Sequence, residues 1–139
     1  MPTTNEFSIE LNDQPGVLGN ICRTLADRGV NILALEAQPL RSEGMSQVRL
    51  VVDNPTMLKS VLDSQNLNYT ETQVAQVRLP HRPGELARAA SRLGEANINI
   101  NHVYCGVDAS TNEPLLIFGV ADAGRAAKVL DEAATAARA

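Results

Sequence analysis

The chain carries one unit twice, sixty-eight residues apart and in register. Asp13-Gln14-Pro15-Gly16-Val17-Leu18 returns as His81-Arg82-Pro83-Gly84-Glu85-Leu86. Val30-Asn31-Ile32 returns as Ile98-Asn99-Ile100, and Val61-Leu62-Asp63 as Val129-Leu130-Asp131. A fixed internal period sets the size of the folding unit before any single residue is weighed. In 139 residues it leaves two units of about 70, near the size at which one hydrophobic core is marginal. We therefore expect units at 1–72 and 73–139 that share a sheet or a packed interface.

Within each copy the apolar period changes in the same order. Phe7, Ile9 and Leu11 alternate with polar residues, as do Ala75, Val77 and Leu79, which predicts a strand with one buried face. After Pro-Gly, the residues Val17, Leu18, Ile21, Cys22 and Leu25 share one helical face. The second copy places Leu86, Ala89, Ala90 and Leu93 there, a slimmer face, and has Glu85 in place of Val17. Two strands follow, about 30–40 and 45–52, with a turn at Ser42-Glu43-Gly44. Asn54-Pro55 then reads as a helix cap and first turn, with Asp122 as the second cap. Gly29 becomes Asn97 and Gly44 becomes Asn112. Gly and Asn are the residues that tolerate a left-handed backbone, so these exchanges predict conserved turn geometry beneath drifting side chains.

The order β-α-β-β-α-β predicts an α+β fold of the ferredoxin-like, split β-α-β type, with antiparallel sheets in order 4-1-3-2 and helices on one face. The first copy has a fourth strand near 67–72. The second ends in Thr-Ala-Ala-Arg-Ala, a helical composition, so its fourth strand is missing. Seven strands and four helices are expected. The open edge calls for cover from a dimer partner or the 67–79 connection.

Charge and composition exclude several roles. Net charge is −4 and no run of Lys or Arg occurs, so the electrostatic basis of nucleic-acid binding is missing. No apolar stretch approaches the roughly 20 residues that span a bilayer. The start of the chain lacks the basic and apolar segments of a signal peptide. Cys22 and Cys105 form neither a disulfide framework nor a metal-ligand spacing. A cytoplasmic protein with free thiols, no cofactor and no metal is expected.

The chemistry sits at Pro-Gly. At a helix N-terminus the amides of Gly16, Val17 and Leu18 offer a small anion site suited to a carboxylate. Asp13 at the rim suits an ammonium group, and Asn31 can both donate and accept. Together these suit a free amino acid. The same residues also admit a structural reading, with Pro-Gly as turn chemistry and Asp13 as a helix cap. His102 and Tyr104 share one strand face, as ligand or interface contacts or as an ordinary exposed surface. No nucleophile–base constellation accompanies them, so an enzyme built around His81 and His102 has little support.

The pattern Asp-x-Pro-Gly-Val-Leu, followed by a helix ending in Gly-Val-Asn-Ile, resembles an ACT domain. The resemblance covers 6–72 and, without the last strand, 74–133. It implies a tandem ACT protein: a non-catalytic, allosteric regulatory module binding an amino acid or similar small molecule where two ACT units meet. It implies ligand contacts at Asp13, Gly16 and Asn31, with Val17 and Leu18 beside them. The matching second set is His81, Gly84, Glu85, Leu86 and Asn99. His81 departs from the family's acid or amide, so two unlike sites are expected. The resemblance also implies a homodimer and a partner metabolic enzyme. The alternative is a ligand-independent regulatory subunit that docks on such an enzyme.

Overall fold

In the computed structural model residues 3–41 and 44–139 are described. The turn expected at Ser42 and Glu43 lies outside them. The fold is α+β with antiparallel strand pairing and four helices. By their contacts the residues form two compact units, Asn5–Thr72 and Gln73–Ala139, with Thr3 and Thr4 grouping with the second.

The first unit contains β1 (Thr3–Asn12), α1 (Val17–Asp27), β2 (Ile32–Pro39), β3 (Met45–Val52), α2 (Pro55–Ser64) and the start of β4 (Tyr69–Arg78). β1 pairs with β3, Phe7 opposite Leu50 and Asn12 opposite Met45. β2 pairs with β3 from Ile32 opposite Val52 to Pro39 opposite Ser46. The Glu10 amide donates to the Asn68 carbonyl at 3.2 Å, which sets β4 beside β1. The order 4-1-3-2 follows. Alternation decides the core: Phe7, Ile9 and Leu11 of β1 meet Val48, Leu50 and Val52 of β3, under Ile21 and Leu25 of α1 and Leu58 and Leu62 of α2.

Helix ends follow their local chemistry. The Asn54 side chain accepts from the Met57 amide at 3.1 Å, with Pro55 opening α2. α1 closes with the Gly29 amide on the Ala26 carbonyl (3.0 Å) and the Val30 amide on the Leu25 carbonyl (2.9 Å). This pair of hydrogen bonds needs a left-handed residue after the cap, and Gly29 sits at φ 73°.

The second unit continues β4, then α3 (Glu85–Glu95), β5 (His102–Val107), β6 (Pro114–Gly119) and α4 (Ala123–Arg138). β6 pairs with both β4 and β5. Its core is built from smaller residues: Ala89, Ala126, Ala127 and Ala133 join Leu93, Phe118 and Leu130. Asp122 caps α4 through the Arg125 amide at 3.1 Å. α3 closes as α1 does, with Asn97 at φ 60° and the Ile98 amide on the Leu93 carbonyl at 2.9 Å. Asn112 likewise keeps the left-handed turn of Gly44, at φ 60° against 81°.

One expectation is corrected. The described residues contain six strands, not seven, because the expected strands near 67–72 and 75–79 are one. Nothing between Thr72 and Val74 breaks a strand, since no Gly or Pro stands there.

Candidate functional site

The loop from β1 to α1 is shaped by Gly16, at φ 87° and ψ −15°. That positive φ is what the glycine supplies, since side-chain-bearing residues pay for it. The space where a Cβ would stand is open, with no atom within 4 Å. The loop is pinned by the Asp13 amide on the Gly44 carbonyl (2.8 Å) and the Gln14 amide on the Asn12 carbonyl (3.0 Å).

Helix α1 has no side-chain cap and no acid in its first turn. Asp13 is therefore not its cap. The Val17 amide is taken by the Gln14 carbonyl at 3.3 Å. The amides of Gly16, Leu18 and Gly19 have no partner among the described residues, nor does the Asp13 carboxylate. Among the described residues no acidic side chain bonds the positive end of the helix, and the Asp13 carboxylate stands beside it.

A cleft of about 170 Å³ opens at this place. Leu11, Leu18 and Val48 give it an apolar floor, and Asp13, Gln14, Gln38 and Ser46 a polar rim. It is smaller than the roughly 300–1,000 Å³ of drug-sized sites. Gln38 and Ser46 were not singled out from the sequence. The strand order carries the signal: with β3 between β1 and β2, the end of β2 and the start of β3 must flank the end of β1, and Ser46 stands opposite both Leu11 and Pro39.

Asn31 lies at the other end of the sheet. Its amide donates to Asp53 Oδ1 at 2.9 Å, and its carbonyl accepts from the Asp53 amide at 3.1 Å. Met45 to Asp53 is eight steps of strand, so Asn31 and Asp13 are ~26 Å apart within the unit. No single small ligand reaches both.

The second loop repeats the backbone, with Gly84 at φ 91°, and changes the chemistry. His81 and Leu86 are exposed, and Asn99 donates its side-chain amide to Asn101 Oδ1 at 3.0 Å. Asn99 is again at the far end of its sheet from His81. Leu79, before the loop, bonds Pro114 at one end of β6, and Asn101 bonds Gly119 at the other. Glu85 is buried and paired with Arg82 and Arg88. Burial pushes its carboxyl up, but hydrogen bonds from both arginines outweigh that and hold it below the ordinary carboxylate value. Two residues of the first cleft's polar rim also lose their polar side chains, as Gln38 and Ser46 become Gly106 and Pro114.

His102 and Tyr104 stack, with ring centroids 6.1 Å apart and planes 11° from parallel. The imidazole lies over Gly119, where any Cβ would collide with the ring. Cys22 is half-buried and Cys105 exposed, both free thiols. Burial pushes the Cys22 thiol up. Among the described residues no group of three His, Cys, Asp or Glu side chains is placed to hold a metal ion, and no helix is long and apolar enough to cross a membrane.

Residues 7–67 match the family model of the AHAS small subunit-like ACT domain. Among solved structures, protein BT0572 from Bacteroides thetaiotaomicron has a TM-score of 0.79 at 22% identity, covering 94% of this chain and 88% of that one. The ligand-free regulatory subunit of aspartate kinase from Thermus thermophilus has a TM-score of 0.66 at 16% identity, covering 98% and 92%. The corresponding subunit from Thermus flavus gives 0.56 at 16% identity, covering 96% and 97%. At these identities the likeness is one of fold. No curated protein matches the sequence.

Proposed function

We propose that the chain is a non-catalytic, tandem ACT regulatory protein that binds a free amino acid or similar small ligand where ACT units meet. The observation that carries this reading is in the first unit: a helix N-terminus and an Asp13 carboxylate that have no partners among the described residues, over an apolar floor. A ligand carboxylate suits the amides of Gly16, Leu18 and Gly19. Its ammonium suits Asp13, and a small apolar side chain suits Leu11, Leu18 and Val48. Residues 5–72 carry five basic and nine acidic side chains, a balance that favours a ligand with an ammonium group over a dianion. The distance from Asp13 to Asn31 supports a site completed by a second unit, and with it a homodimer. The fold's likeness to a regulatory subunit of aspartate kinase supports control of a metabolic enzyme.

A thermal-shift screen against the twenty amino acids tests this. At a hundredfold excess over Kd a ligand contributes about 2.7 kcal/mol, a rise of several degrees. No rise with any amino acid counts against ligand binding.

A second reading, a ligand-independent subunit docking on a metabolic enzyme, is favoured by exposed apolar residues of the second unit. Leu86 is 47% exposed, Val103 40% and Val107 54%. Co-purification of the same enzyme with and without amino acids would favour it.

A further inference from the structure

In the first unit a helix hands over to a strand, and in the second it does not. Asn66, at φ 54°, turns the chain out of α2. Its amide donates to the Asp63 carbonyl and the Leu67 amide to the Leu62 carbonyl, both at 3.1 Å. β4 then begins at Tyr69. The counterpart of Asn66 is Ala134, the residue type most at home in a helix, and α4 runs on to Arg138.

The two continuations meet the same backbone position. In the first unit the Glu10 amide donates to the Asn68 carbonyl at 3.2 Å. Arg78 is the counterpart of Glu10. Successive residues of a strand turn their backbone groups to opposite sides. The Leu79 amide donates to the Pro114 carbonyl at 3.2 Å, so the groups of Arg78 face away from β6. There the Arg78 carbonyl accepts from Arg138 Nη2 at 3.1 Å. Arg138 is itself held, donating to the Glu113 carboxylate at 3.0 and 3.2 Å. Arg82 Nη2 donates to the Ala137 carbonyl at 2.9 Å, one of the last carbonyls that a helix leaves without an internal partner.

We propose that the last turn of α4 guards this strand edge: fastened by Arg82 and Arg138, it occupies the backbone of Arg78 and keeps a strand of a second copy of the chain from pairing there. A strand edge is a template for another chain, and proteins blunt it with a cation or a covering helix. Both devices meet at Arg78. A guanidinium suits the task because its planar fork bonds a carboxylate and a carbonyl at once. The occupant kept out is a second copy, because it brings an identical edge and identical patches pair about a two-fold axis. The fastening lies at the surface, with the Arg138 side chain 42% exposed, while Leu130 and Ala133 of the same helix are buried in the core. The turn can therefore open without the core opening.

The test is Arg138→Gln in the full chain, which removes three hydrogen bonds at a half-exposed position. By NMR the amides of Ala136 and Ala137 exchange ~tenfold or more faster than in wild type, the worth of one hydrogen bond to a charged group. The amides of Val129 and Leu130 keep their wild-type rates. Sedimentation velocity over a concentration series then shows a species of twice the wild-type mass. The substitution also adds one unit to a net charge of −4, which by itself opposes association. Unchanged exchange in the last turn overturns the fastening. A faster last turn with no heavier species overturns the guard. If Arg138→Gln does not fold, Glu113→Gln is used, which loosens the guanidinium and leaves the arginine in place.

Discussion

Gly16→Ala separates the backbone geometry of the first loop from its contacts. Gly16 is held at φ 87° with open space where a Cβ would point, so an added methyl meets no neighbour. The cost is then one of backbone conformation. A left-handed alanine costs about 1–2 kcal/mol. The lower freedom of alanine in the unfolded chain offsets about 0.4–1 kcal/mol of that. A net loss of about 1 kcal/mol follows, or ~4 °C in Tm for a chain of this size. Urea unfolding measures it as a lower midpoint at unchanged slope. The repeat supplies a control. Gly29 also has positive φ, but Asn97 fills the equivalent turn at φ 60°, so Gly29→Asn should stay within about 0.5 kcal/mol of wild type. If Gly16→Ala costs no more than Gly29→Asn, the account of the loop is refuted.

Three further outcomes are expected. Gly119→Ala forces the His102 ring off its neighbour and costs about 1–3 kcal/mol as overpacking; the double variant with His102→Ala should recover most of it in denaturant melts. Asp108 accepts hydrogen bonds from Ser110 and twice from Thr111, which lower its carboxyl from 3.8 to about 2. A depressed carboxylate contributes stability above its unfolded value that is lost as pH falls through about 2; carbon-detected titration should find that midpoint, and Ser110→Ala should raise it. Leu62→Ala, at a fully buried site in the first core, should cost about 2–5 kcal/mol, read by urea unfolding.

Much of the fold is legible in the sequence because its signals are local. The alternation of Phe7, Ile9 and Leu11, the caps Asn54 and Asp122, and the exchange of Gly29 for Asn97 each follow from residues within a few positions. The continuous β4 is harder to read. Thr72 and Gln73 look like a junction because the repeat restarts there, yet nothing in them stops a strand. The site is legible only in part. Asp13 and the Pro-Gly turn identify the loop, but Gln38 and Ser46 join it through strand register. Asn31 is grouped with it by motif and stands at the opposite end of the sheet. Glu85 enters the sequence reading as the counterpart of Val17 in the second set of ligand positions. Its burial depends on Arg82, Arg88 and Ala137, and the last lies more than fifty residues away in sequence.

The central claim is that the first loop holds the carboxylate and ammonium groups of an amino acid. Titration calorimetry tests it most directly, using the amino acid that gives the largest thermal shift, with wild type and Asp13→Asn compared at one pH. The account predicts saturable binding to wild type and a loss of ~tenfold or more in Asp13→Asn, the worth of a charge-assisted bond to the ammonium. Equal affinity in the two proteins would contradict it.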